Sequence, residues 1–250
     1  MSRAIMDRTP VPADERVAYG TDPNQFFDVF WPVEKPKGLT IYVHGGFWRS
    51  RLNLEHASHI NRALAGAGYL AVSLEYRRAG ETGGGWPVTF QDVAVGFSTA
   101  RVKYAASGNP VVLGHSAGGH LALLLAANTR EMKGVVGLGA VSCLEMAYKE
   151  NLGAGAVKDF MGGGPEELPE FYAAADPVRH DSHVRRVLVH GTEDDVVPIG
   201  IGQAFVKARA MDAGKVSLVE IAGGDHFDPI DPDSKGWAVV LGAVVGLEGG

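Results

Sequence analysis

Cysteine is nearly missing from this chain. Cys143 is the only one in 250 residues, so no disulfide can form within one copy and a reducing compartment is allowed. An excess of basic charge is missing too. Lysine and arginine number 23 against 29 acidic residues, a net charge of −6. That leaves no basic footprint for nucleic acid or an anionic membrane. The longest apolar runs, LALLLAA from Leu121 and WAVVLGAVVG from Trp237, fall short of the ~20 residues that span a bilayer and read as core helices. The opening residues, MSRAIMDRTP, lack the apolar stretch of a signal peptide, so the expectation is a cytoplasmic protein. Neither H-E-x-x-H nor a Cys/His cluster is present, and His56 and His59 lack a third ligand nearby, so no metal is expected. GLGAVS (Gly137–Ser142) lacks the third glycine of a dinucleotide loop and there is no Walker lysine, so no nucleotide cofactor is expected either.

What the chain does have is a rhythm. No repeat or low-complexity linker divides it, and 46% of its residues are hydrophobic, enough for one large core, so residues 1–250 read as a single domain. Arg16–Tyr19 and Phe26–Trp31 suit edge strands of an antiparallel start. Near-continuous apolar runs follow: LTIYVH, YLAVSLEY, PVVLGH, GVVGLGAV, RVLVHG and VSLVEIAG. Between them lie helical patterns at roughly 52–66, 88–105, 117–129, 199–213 and 234–247. Strands of that kind belong to a parallel sheet covered on both faces. The alternation predicts a doubly wound α/β sheet with right-handed crossovers. Residues 143–183 break the rhythm with clustered Gly and Pro. They read as a small cap-like insertion over the carboxyl ends of the strands, where ligands bind in open α/β sheets.

Residues 114–118, GHSAG, follow a buried strand and open a helix. A sharp strand-to-helix turn strains the serine backbone and leaves no room for side chains two residues either way. Glycine at both places makes Ser116 a candidate nucleophile. A serine hydroxyl needs a base. Of the nine histidines, His226 in GGDHFD lies just past the last strand, on the rim shared with Ser116. His44 reads as a brace for its own loop, and His190 as fixing the loop after its strand. His115 is expected to point away from the turn, His120 to pack, and His56 and His59 to form a solvated helix face. The base needs a carboxylate to hold its tautomer. HGTEDDVVP supplies Asp194 and Asp195 in the chain order Ser, Asp, His, and spacing does not separate the two.

Acyl transfer also needs N–H donors for the developing oxyanion. Ala117, after the nucleophile, supplies one. HGGFW (residues 44–48) ends a strand at the same sheet edge, and its glycines let a carbonyl approach the N–H groups of Gly45 and Gly46. Phe47 and Trp48 are expected to wall the substrate pocket, with Trp86 from GGGWP and Phe160 from the insertion.

HGGFW, GHSAGGH, HGTEDDVVP and GGDHFD, in that order across residues 38–228, together resemble the α/β-hydrolase superfamily. HGG followed by an aromatic and Trp, with GHSAGGHLA and DHFD, is most similar to its arylformamidase (kynurenine formamidase) and small-carboxylesterase branch. The hormone-sensitive-lipase branch has a third glycine where Phe47 stands. The resemblance implies an α/β-hydrolase fold with Ser116 as nucleophile, His226 as base and Asp194 as acid. Asp194 is chosen over Asp195 because Gly191, Asp194, Val197 and Pro198 fill the family's G-x-x-D-x-x-V-P pattern. It implies a serine hydrolase of small carboxylic esters or aryl formamides, acting on a small-molecule substrate without a cofactor. The alternatives are a non-catalytic ligand-binding protein of this fold, or a general carboxylesterase or peptidase-like hydrolase without formamidase activity. The apolar C-terminal helix leaves room for a homodimer without compelling one.

Overall fold

The computed structural model describes residues 2–212 and 214–249. Eight strands form its sheet: β1 (Glu15–Ala18), β2 (Phe26–Phe30), β3 (Leu39–Val43), β4 (Leu70–Leu74), β5 (Val111–His115), β6 (Gly134–Leu138), β7 (Arg185–Gly191) and β8 (Val216–Ile221). They lie in the order β1-β2-β4-β3-β5-β6-β7-β8. β1 and β2 enter antiparallel, and every later pairing is parallel. β3, β4, β5 and β6 are buried at every residue, whereas β1 alternates as an edge strand should. Full burial follows from cover on both faces. Successive side chains of β3 show it: Ile41 and Val43 join one apolar cluster, Tyr42 the other.

One face is covered by α1 (Ser58–Gly66), through Ile60 and Leu64, and by α8 (Trp237–Glu248), through Val240, Val244 and Leu247. The other is covered by α2 (Val88–Lys103), α3 (Ala117–Asn128) and α7 (Ile199–Ala208). α3 is apolar all round and buried over most of its length, as a helix at the centre of the molecule must be. This is the α/β-hydrolase fold expected from the sequence. Among the described residues no helix is long and apolar enough to cross a membrane.

The boundaries differ locally. The pattern at 52–66 begins as a 3-10 turn over Leu54–Ala57, with Asn53 Oδ1 accepting from the Glu55 N–H at 3.0 Å. The one at 199–213 stops at Ala208, where Arg209 turns back to hold Asp212; residue 213 lies outside the described residues. The last helix starts at Trp237, because Ser234 closes a turn onto the Asp228 carbonyl.

Residues 143–183 fold into three short α-helices, α4 (Leu144–Lys149), α5 (Ala156–Met161) and α6 (Pro169–Ala175), and a 3-10 turn over Pro177–Arg179. Buried Asp176 ties the two ends together by accepting from the N–H groups of Leu144 (2.9 Å) and Glu145 (3.1 Å). Arg49, in the loop after β3, donates to the carbonyls of Gly153 (2.7 Å) and Ala154 (3.0 Å) and pairs with Asp159 (2.6 Å). The Trp86 N–H donates to the Phe160 carbonyl at 2.9 Å. The insertion is thus fastened to loops at the carboxyl edge of the sheet.

Candidate active site

Ser116 stands between the end of β5 and the first residue of α3. Its backbone is at φ 54°, ψ −118°, a strained region for a residue with a side chain, costing about 1–3 kcal/mol. The surroundings hold it there. Its N–H donates to the Leu138 carbonyl (2.9 Å), and its carbonyl accepts from Val141 and His120, each at 3.2 Å. The flanking glycines are required by backbone contact. A Cβ at Gly114 would lie 2.3 Å from the Gly118 carbonyl oxygen, and one at Gly118 would lie 2.1 Å from that of Val43. The N–H of Ala117, at the head of the helix, has no carbonyl one turn back to bond.

Asp194 follows β7 and is buried, while Asp195 beside it is exposed. One oxygen, Oδ1, accepts from the N–H groups of Val196 (3.0 Å) and Val197 (2.8 Å). The other, Oδ2, accepts from His226 Nδ1 at 2.7 Å and faces His190 Nε2 at 3.2 Å. Burial alone would raise the Asp194 pKa. Hydrogen bonds from His190 and His226 outweigh it and hold the carboxyl well below the usual carboxylate range. His226 rides a turn after β8 closed by Asp225, whose Oδ1 accepts from the Phe227 N–H at 2.8 Å. With Nδ1 donating to the carboxylate, Nε2 carries the lone pair that a base requires. The carboxylate that meets the imidazole is that of Asp194.

Ser116 and His226 line one cavity of about 240 Å³. Among the described residues no hydrogen bond occupies Ser116 Oγ; bonds between a nucleophile and its base commonly tighten only with substrate bound. His115 also lines this cavity, contrary to the expectation that it points away. Strand alternation puts it on the face of Val111 and Leu113, and the loop carrying His226 closes over that face. Its Nε2–H donates to the His226 carbonyl at 3.0 Å. Burial, together with the neighbouring His226, pushes its pKa well down, so the ring stays neutral beside His226. Gly139 has a contact that its GLGAVS stretch does not announce: a Cβ there would lie 3.1 Å from His226 Nδ1 and 3.2 Å from Asp194 Oδ2, so any side chain would press on the pair. Neither residue carries a local sequence signal, because both contacts are long-range.

The HGGFW loop passes directly over this turn. A Cβ on Gly45 would lie 3.1 Å from Ser116 Cβ. Gly46, Phe47 and Trp48 all have positive φ, at 116°, 53° and 56°. Among the described residues no hydrogen bond takes up the N–H of Gly45 or Gly46. The loop is braced from below. His44 Nδ1 meets the Gly45 carbonyl (2.8 Å) and Nε2 meets Glu75 Oε1 (2.9 Å), so both ring nitrogens face acceptors. Glu75 also accepts from the N–H groups of Leu54 (2.9 Å) and Tyr76 (3.0 Å), while Tyr76 Oη donates to the His44 carbonyl at 2.7 Å. Burial pushes the Glu75 carboxyl up, and the charge and hydrogen bond of His44 lead the groups that bring it below its ordinary value. His44 therefore braces its loop, and Glu75 is the partner the sequence did not reveal.

Of the four aromatics expected in the pocket, only Phe47 borders this cavity. Trp48 is fully buried. It stacks on Phe160 at 4.7 Å between ring centroids and meets His120 edge-on at 5.3 Å. Trp86 meets the edge of Phe160. The insertion lowers Phe160 onto Trp48 and converts those three rings into its footing. Met6, Leu52, Val196 and Phe227 complete the apolar lining instead. His56 corrects a second expectation. It is not on a solvated face but meets His44 edge-on at 5.7 Å and borders the cavity. The 3-10 turn there has three residues per turn, which shifts the face that an α-helical count assigned. Burial, followed by His44, lowers its pKa to about 4. Among the described residues no group of three or more His, Cys, Asp or Glu is placed to hold a metal ion.

Comparison with known proteins adds to this geometry. The model of the BD-FAE family matches residues 27–208, a span that holds Ser116 and Asp194 but stops before His226. Esterase LipC of Mycobacterium tuberculosis is 27% identical; the match covers 86% of this chain and 60% of LipC, so the chain spans somewhat less than two thirds of that relative. Among solved structures, a truncated form of a carbohydrate esterase from gut microbiota superposes with a TM-score of 0.82 at 19% identity, covering 97% of this chain and 98% of that one. Esterase B from Lactobacillus rhamnosis (HN001) gives 0.79 at 18% identity, covering 99% and 90%. At such identities the two structures establish the shared fold.

Proposed function

The chain belongs to the BD-FAE family, and from that premise we propose that it is a serine hydrolase of small carboxylic esters. The observation that carries the reading is the Asp194–His226 hydrogen bond on the same cavity as a backbone-strained Ser116. Ser116 Oγ attacks the acyl carbon while His226 Nε2 takes its proton. Asp194 holds the imidazole and stabilises the cation that forms. The N–H groups of Gly45, Gly46 and Ala117 receive the oxyanion. His226 then protonates the departing alcohol oxygen, leaving an acyl-serine. A water deprotonated by His226 attacks the acyl carbon, the C–O bond to Ser116 breaks, and Ser116 recovers the proton as the acid leaves. The cavity, at about 240 Å³, is smaller than most drug-sized pockets and favours short acyl groups.

A fluorophosphonate probe is expected to label the protein stoichiometrically and Ser116→Ala not at all. Absence of labelling and of p-nitrophenyl acetate turnover would instead support a ligand-binding protein of this fold. Asp194→Asn is expected to lower turnover roughly 10³- to 10⁴-fold, with Asp195→Asn mild; the reverse result moves the acid's role to Asp195. Aryl formamides form a narrower reading, supported by the HGGFW loop and by Phe47 and Phe227 on the cavity wall. Turnover of N-formylkynurenine beside short p-nitrophenyl esters tests it; cleavage of the esters alone removes it.

A further inference from the structure

The catalytic cavity has a neighbour. A second cavity of about 360 Å³ shares four lining residues with it: Met6, Arg51, Leu52 and His56. The inner chamber, at Ser116, has Phe47, Val196 and Phe227 for walls. The outer one adds Ser50, Asn53 and Glu55, together with Arg8 and Arg78. A substrate whose scissile bond lies at Ser116 can place an apolar acyl group in the first and reach past Arg51 and His56 into the second.

The three arginines there differ in what they have left to give. Arg8 is held by Asp231 (2.8 Å) and Asp233 (3.1 Å). Arg78 is held by Glu81 (2.7 Å), the Leu52 carbonyl (2.7 Å) and Asn24 Oδ1 (2.8 Å), with Glu75 at 3.4 Å. Arg51 is exposed, and among the described residues its guanidinium has no ion pair or hydrogen bond. An arginine fork matches the two oxygens of a carboxylate or phosphate, and this one borders both chambers. Glu55 opposes it but borders only the outer chamber. His56 adds no charge at neutral pH, since burial, followed by His44, lowers its pKa to about 4.

Resting on the hydrolase reading above, we infer that Arg51 at the junction of the two cavities is a specificity-determining site for an anionic leaving group. The substrates favoured are short-chain acyl esters of an alcohol or phenol that bears a carboxylate or phosphate. The anion draws the leaving group into the outer chamber and sets the ester across Ser116.

Two acetate esters of one shape test this: 4-acetoxybenzoate and the neutral 4-acetoxybenzamide, their kcat/KM values normalised to hydroxide-catalysed rates. The wild-type protein is expected to favour the anionic ester about fivefold at low salt, a modest factor because Arg51 is exposed. The preference should shrink as salt screens the charge, vanish in Arg51→Gln, persist in part in Arg51→Lys and grow in Glu55→Gln. A wild-type ratio at or below one, or a ratio unchanged by Arg51→Gln, overturns the subsite while leaving the hydrolase in place. Turnover of neither ester overturns both.

Discussion

The two loops that meet at Ser116 are both strained, yet they are held in different ways. At the serine turn, main chain is packed on main chain: Gly114 against the Gly118 carbonyl, Gly118 against the Val43 carbonyl. The HGGFW loop, with three successive residues at positive φ, has backbone bonds from Arg49 and Ala79 to the Gly46 and Trp48 carbonyls, and side chains brace it further: Glu75 through His44, and Arg49 to the insertion. A turn locked by close backbone contacts has little freedom to adapt. A loop braced by side chains can be adjusted one brace at a time, which suits the part of a site that meets varied substrates.

The sharpest way to break the comparison is a methyl group at the serine turn. Gly114→Ala places Cβ 2.3 Å from a carbonyl oxygen and is expected to cost about 4–5 kcal/mol, the upper range of single substitutions; urea unfolding measures it. A loss under about 1 kcal/mol would show that the turn relaxes after all. On the loop side, Glu75→Gln removes the buried carboxylate that His44 Nε2 meets. It is expected to lower kcat on a short ester by about 10- to 100-fold, the scale of a 1 Å displacement in a site, while the protein stays folded by circular dichroism. A wild-type kcat would place the brace elsewhere.

Smaller effects sharpen the contrast. Arg49 and Asp159 are 25% and 57% exposed as side chains. Arg49→Ala is therefore expected to cost about 1 kcal/mol or less in urea unfolding, and a loss of several kcal/mol would make the insertion part of the core. The smallest effect concerns pH. One histidine stands on each side, His56 half-buried by the loop and His120 buried on the first turn of α3. Burial, the leading cause for both, lowers each pKa from 6.5 to about 4. The unfolded chain thus binds more protons between about pH 6.5 and 4, so stability falls as pH drops through that window. His56→Gln and His120→Gln should each flatten the fall, measured as the change in urea midpoint between pH 7 and 4.5. An unchanged slope in either would free that histidine from the linkage.

The same division explains what the sequence made legible. Strands buried on both faces announce themselves by continuous apolar runs, and the serine turn by glycines within two residues. Both are local patterns, and the fold and the strained turn at Ser116 could be read from them. Asp194 and Asp195 are adjacent, and only the packing after β7 turns one inward. Glu75, Gly139 and the place of His115 depend on contacts between residues far apart in the chain and carry no local periodicity. For Trp48, Trp86 and Phe160 the sequence shows that a ring is present but not what covers it. At His56 a 3-10 turn and an α-helix present different faces from the same spacing.

The stack of Trp48 on Phe160 gives the molecule an optical reporter. Its indole is walled off from water by the insertion, with a buried Nε1 that has no hydrogen-bond partner among the described residues, so it should emit at short wavelength. Lifting residues 143–183 away would let water reach it and send that emission to the red while the sheet beneath remained intact.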